Sequence, residues 1–208
     1  MHPNAKAISQ RAMVLHPNAK AITLIELIVS IILLGMVVIG FFSIDLFSRQ
    51  QLISTDRNAR LQNEAVYVLS HINKQLTMAI GDINTFPLIF TNTSGMTSFI
   101  QATIDATPDG LRNFANDANV SYCYNNAGCN HVAVPYTIYY NSNISASTVP
   151  PAEMLASHVR YFNANRTGNC VSVIIETCWD PSLTTCGSLD NPAFNMTGSV
   201  SMPSVSVQ

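Results

Sequence analysis

The sequence predicts an α+β protein in which one long amino-terminal helix packs on a small antiparallel β-sheet. Three observations predict it. Residues 21–44 read AITLIELIVSIILLGMVVIGFFSI, apolar on every side, and Glu26 is the one charge among them. Leu61, Ala65, Val68, Leu69, Ile72, Leu76 and Ala79 then recur at spacings of three and four, the mark of a helix with one buried face. Beyond residue 81, short apolar or alternating runs lie between Asn, Gly, Ser and Pro, a β texture. The expected organisation is a short basic segment at 1–21, read below as a leader from a family resemblance, a membrane-spanning helix at 22–44, its amphipathic continuation at 45–81, and a β-rich globular unit with disulfides at 82–208.

The leader carries Lys6, Arg11 and Lys20 and no acidic residue, so the amino terminus is expected on the cytoplasmic side. HPNAKAI occurs twice, at 2–8 and 16–22, which reads as a local duplication, and Met13 offers an alternative start. A span of 24 residues at ~1.5 Å per residue covers about 36 Å, enough to cross a hydrocarbon core of ~30 Å. No small-x-small cleavage pattern follows the run, so the span is expected to stay in the mature protein. A carboxylate near the centre of such a span costs about 2.5–3.5 kcal/mol, so Glu26 asks for a partner.

Ala21-Ile22-Thr23-Leu24-Ile25-Glu26, followed by the unbroken apolar run, resembles the prepilin cleavage and methylation motif of type IV pilins and type II secretion pseudopilins. The resemblance implies a cut between Ala21 and Ile22 by the prepilin peptidase/methyltransferase, N-methylation of Ile22, and assembly with other pilin or pseudopilin subunits. Thr23, Leu24 and Ile25 complete the motif, and Glu26 is the carboxylate that would pair with a neighbouring subunit's amine. Ala21 stands where the family usually has Gly, and Ile22 where it usually has Phe; a small residue before the cut and a large apolar one after it are retained. The implied setting is the lipid of a bacterial inner membrane, with the β-rich unit periplasmic or extracellular. Arg60 to Ile80, with its Leu61-Gln62-Asn63-Glu64-Ala65 phrase, is similar to the larger minor subunits of these assemblies, the J or W type. A single-pass anchored adhesin or receptor that never polymerises is the alternative.

No proline occurs between Pro17 and Pro87, so nothing there forces the helix to break. Asp45/Arg49 and Asp56/Arg60 are acid-before-base pairs four residues apart, each worth about 0.3–0.5 kcal/mol on an exposed helix. The helix is expected to run to Ile80 and stop at Gly81. Pro108-Asp109-Gly110 reads as a turn. A strand is expected over 132–140, where Pro135 makes it an edge or delays its start. Strands are expected at His158–Phe162 and Val171–Trp179, joined by a polar loop over 163–169, while 198–208 is either a late edge strand or mobile.

All five cysteines lie after residue 120, which fits an oxidising compartment. Cys170 and Cys178 on one extended strand would stand about 26 Å apart, far beyond the ~7 Å a disulfide tolerates. The expected pairs are Cys123 with Cys129 and Cys178 with Cys186, leaving Cys170 over. No metal site, cofactor or catalytic residue is expected. Cys123, Cys129 and His131 exceed the spacing of zinc ligands, with His158 only at a distance. Asp105, Asp109, Asp117, Asp180 and Asp190 form no EF-hand spacing, and no G-x-S-x-G, H-E-x-x-H or P-loop occurs. Ten basic against twelve acidic residues leave no electrostatic footprint for nucleic acid.

Overall fold

The computed structural model describes residues 23–80, 87–93, 95–106, 117–125, 134–142 and 151–202. The layout is α+β: one long amino-terminal helix followed by antiparallel sheets. Helix α1 spans Leu24–Leu76. Two compact units divide between Phe47 and Ser48.

In the first unit, the described residues are helical from Leu24, and every side chain from Leu24 to Phe47 is exposed. An all-round apolar surface with nothing covering it is what a helix needs to lie in lipid, and α1 is long and apolar enough to cross a membrane. The two hydroxyls in the run are satisfied inside the helix: Ser30 Oγ donates to the Glu26 carbonyl at 2.7 Å and Ser43 Oγ to the Ile39 carbonyl at 2.9 Å. That local bonding lowers the cost of holding serine in hydrocarbon.

In the second unit, the apolar stripe of α1 is the spine of the core. Leu61, Ala65, Val68, Ile72 and Leu76 are fully buried, and Leu69 and Ala79 nearly so. Asp56 and Arg60 form the expected ion pair at 3.2 Å on the solvent side. The helix ends four residues earlier than the periodicity predicts. Thr77 Oγ1 donates to the Lys74 carbonyl, Ala79 forms a β-bridge with Ile104, and the Ile80 N–H reaches the Thr103 carbonyl at 2.9 Å. Sheet bonding thus takes Ala79 and Ile80 away from the helix while leaving Ala79 in the core; Gly81, the expected stop, lies outside the described residues.

The β portion forms two sheets where one was expected. β1 (Leu88–Thr93), β2 (Met96–Ile104), β3 (Ala118–Tyr124), β4 (Ile138–Asn141) and β5 (Glu153–Ala156) form an antiparallel sheet in sequential order. β6 (Val159–Thr167), β7 (Cys170–Cys178) and β8 (Ala193–Ser201) form a second. Thr97 on β2 joins them: its Oγ1 accepts the Ala164 N–H at 2.8 Å, and it is fully buried. Both sheets and α1 contribute to one cluster, in which Tyr122, Phe162, Ile100, Ile138 and Ile175 are fully buried.

Local features settle three stretches that the sequence left open or read otherwise. The run at 134–140 becomes strand only from Ile138, because Pro135 and Tyr136 form a turn with Tyr136 at φ 63°; its residues 132–133 lie outside the described residues. β4 is then an interior strand, so the late start is the alternative that holds. The polar stretch 163–169 is mostly strand, since β6 continues to Thr167 and only Gly168-Asn169 connects it to β7. Gly168 takes φ 62°, the left-handed geometry a two-residue hairpin needs and glycine supplies at least cost. Residues 198–201 belong to an edge strand, β8, where Gly198 lets Leu69 of α1 approach closely: a Cβ there would stand 3.2 Å from its side chain. The turn expected at Pro108-Asp109-Gly110 lies outside the described residues.

Candidate functional site

The residues at the start of α1 form a closed local arrangement. Thr23 immediately precedes the helix, and Glu26 sits in its first turn. The Thr23 N–H and hydroxyl both donate to Glu26 Oε2, at 3.2 and 3.1 Å, and the Glu26 N–H donates to Thr23 Oγ1 at 3.4 Å. This reciprocal pattern is a capping box: each side chain satisfies a backbone N–H that the first helical turn leaves without a partner. The carboxylate also lies at the positive end of the helix dipole. The signal was in the sequence as Thr-x-x-Glu before an apolar run, and it gives Glu26 a partner within its own chain. Leu24 and Ile25 are exposed. Ala21 and Ile22, the expected cleavage and methylation residues, lie outside the described residues.

The cysteines are placed as follows. Cys178 and Cys186 are bonded, with Cα atoms 6.0 Å apart. Cys123 is buried on β3 and disulfide-bonded; Cys129 lies outside the described residues. Cys170 is free and exposed. It starts β7 and Cys178 ends it, the strand-end separation that excludes their pairing.

Within the Cys178–Cys186 region the organising residue is Asn191, which is 5% exposed. Its Oδ1 accepts the Asp180 N–H at 2.7 Å, and its Nδ2 donates to the carbonyls of Thr185 at 2.8 Å and Asp180 at 3.1 Å. The Asn191 carbonyl accepts the Gly187 N–H at 2.8 Å. Asn191→Ala should therefore leave the Asp180 and Thr185 backbone groups of this part-buried loop without those partners and destabilise the second unit by about 1 kcal/mol, read as a lower urea midpoint at unchanged slope.

A second polar group lies between α1 and the start of β6. Glu64 Oε1 bonds His158 Nδ1 at 2.9 Å, and Glu64 Oε2 accepts the Ser157 N–H at 3.2 Å. Trp179 stacks on the His158 ring with centroids 5.3 Å apart, and the Arg57 guanidinium stands 5.0 Å over Trp179. Ser157 Oγ also meets His158 Nδ1, at 3.1 Å. Acid and hydroxyl therefore share one ring nitrogen, whereas a nucleophile relay needs them on opposite nitrogens. The arrangement is a latch between the helix and the β5–β6 junction. Nothing in the sequence signals it, since its partners are 94 residues apart.

His71 lies two turns further along nearly the same face of the helix as Glu64. Its Nδ1 bonds the Tyr122 hydroxyl at 2.9 Å, and Tyr140 meets its ring edge-on at 4.5 Å. Burial holds the imidazole below its ordinary pKa of 6.5, with Glu153 opposing and Lys74 adding to the shift. Burial also raises the phenols of Tyr122 and Tyr140, and pushes Tyr124 up to about 12. The unfolded chain thus binds a proton at His71 before the folded one does. Stability should fall as pH drops below about 6.5 and level off once the folded-state pKa is passed. His71→Gln should flatten that part of a urea-midpoint profile measured from pH 7.5 to 5.

Among the described residues, no three His, Cys, Asp or Glu side chains converge as a metal site would require. Of Cys123, Cys129 and His131, where no metal site was expected, the last two lie outside the described residues, and His158 is engaged by Glu64. Comparison with protein families, with curated proteins and with solved structures gives no match to this chain.

Proposed function

We propose that this chain is a non-enzymatic, pilin-like subunit: inserted in a bacterial inner membrane with its amino terminus in the cytoplasm, cut before Ile22, methylated there, and assembled into a type IV pilus or type II secretion pseudopilus. The observation that carries the reading is Glu26, one carboxylate in the first turn of an otherwise uncharged apolar run whose surface is bare all round. Bare apolar surface suits lipid and neighbouring helices alike, so the same helix can serve as anchor and then as filament core. The amphipathic segment from Leu61 and its Leu-Gln-Asn-Glu-Ala phrase support a place among the larger minor subunits. The partners would be the prepilin peptidase/methyltransferase and other subunits of the filament.

A second reading is favoured by one observation. The capping box gives Glu26 a local role that needs no second subunit, which suits a single-pass anchored adhesin or receptor.

Intact mass and amino-terminal sequencing of the protein recovered from its membrane separate the two. A chain beginning at Ile22 with one added methyl group supports the subunit; a chain retaining Ala21 sinks it. A start beyond Ile44 would sink both, because the span would then be a signal peptide. Ala21→Gly should be processed at least as fast as the native chain, measured by pulse-chase in cells that express the peptidase.

A further inference from the structure

We infer that the free edge of β8 accepts an added β-strand, and that its occupant is segment 203–208 of a second copy of this chain. The ladder fixes which backbone groups face outward. At its two ends the Trp179 N–H reaches the Pro192 carbonyl at 3.0 Å, and the Met202 N–H reaches the Asn169 carbonyl at 2.8 Å, both in register with the β7–β8 pairs. Hydrogen-bonded pairs alternate along an antiparallel ladder, so Phe194, Met196, Gly198 and Val200 bond to β7. The backbone N–H and C=O groups of Ala193, Asn195, Thr197, Ser199 and Ser201 therefore point away from the sheet.

An edge of this kind is normally blunted by charge, proline, a bulge or shortness. The other three described edges are. β1 has an irregularity between Thr91 and Asn92; β5 is four residues long and its pairing is irregular; β6 has Ala164 tied to Thr97. β8 has nine paired positions without a register shift, no charged residue and no proline. Glu176, on the neighbouring strand, pairs with Asn195 inside the sheet, one strand away from the open edge.

The occupant follows from chemistry. On the core side of β8, Phe194 and Met196 are only half buried, so an added strand with apolar residues at alternate positions would complete their cover. Segment 203–208 reads PSVSVQ, uncharged, with Val205 and Val207 at alternate positions. Its Ser-Val-Ser repeats the Ser199-Val200-Ser201 that already pairs as strand in β8. A two-residue return over Met202-Pro203 would need the left-handed region at Met202, and Met202 is not in it. Donation from another copy has no such requirement, and confinement in one bilayer raises the effective concentration of copies. The inference stands independently of the filament reading.

Amide hydrogen exchange of the full chain, reconstituted alone in vesicles at low and high copy number, tests it. Protection at Asn195, Thr197 and Ser199 should rise about tenfold with copy number. That rise should vanish in a chain truncated after Met202. It should also vanish in Thr197→Pro, which leaves the β7 ladder whole because the Thr197 N–H points outward. No rise at any density overturns the inference. So does a rise that survives truncation, which would assign the edge to another segment, and so does protection at low density that truncation removes, which would mean a return within one chain.

Discussion

Phe162→Ala should destabilise the second unit by about 3–5 kcal/mol, the largest single effect expected in its core. The ring is fully buried on β6, packs 6.0 Å from the Tyr124 ring, and belongs to the cluster shared by α1 and both sheets. Its loss removes apolar burial and leaves a cavity where three layers meet, so no single layer can collapse to fill it. For a unit of 161 residues, Ser48 to Gln208, the melting temperature should drop by roughly 6–20 °C. Tyr124 adds to the cost, because its hydroxyl donates to the Arg160 carbonyl at 2.8 Å across the strands that Phe162 helps hold together. The measurement is thermal unfolding of the variant by near-ultraviolet circular dichroism beside the native chain. A shift of 2 °C or less would mean the two sheets do not share a core at Phe162.

The fold was legible where a period repeats. The stripe Leu61 to Ala79 is buried at every position read from its spacing, because three- and four-residue recurrence has one geometric solution. The apolar run was equally plain. What could not be read were competitions settled by distant partners. Ala79 and Ile80 have helical spacing, yet Thr103 and Ile104 bond them as strand. Asn163, Asn165 and Arg166 look like loop residues, yet β7 gives their backbone a ladder and Thr97 ties Ala164 between them. The second sheet was missed for the same reason: which strands pair is decided by contacts far apart in sequence. At the candidate site the capping box was a local signal and could have been found. The Glu64–His158 latch had none.

Glu26 separates a helix cap from an assembly contact through three substitutions. Glu26→Gln keeps the shape and hydrogen-bonding reach of the capping box, in which glutamine serves as well as glutamate, but removes the charge. Thr23→Ala removes the cap and keeps the charge. Glu26→Ala removes both. Loss of the cap alone costs about 1 kcal/mol at one helix end, so Thr23→Ala should insert normally and assemble within several-fold of native. An amine in a neighbouring subunit that loses its carboxylate in a site with little water is a different matter: breaking one partner of a buried ion pair costs about 3–5 kcal/mol. Glu26→Gln should therefore insert at least as well as native, since an uncharged side chain enters hydrocarbon more easily, while incorporation into filaments falls on the order of 10²–10⁴-fold. Both quantities are read from one culture by fractionating membrane and sheared filaments. If Glu26→Gln assembled like the native chain while Glu26→Ala did not, the cap would be the whole role of the carboxylate and the charge would do nothing. The two residues nearest in function would then be Thr23 and Glu26 acting within one chain, and the plain anchor would become the better reading.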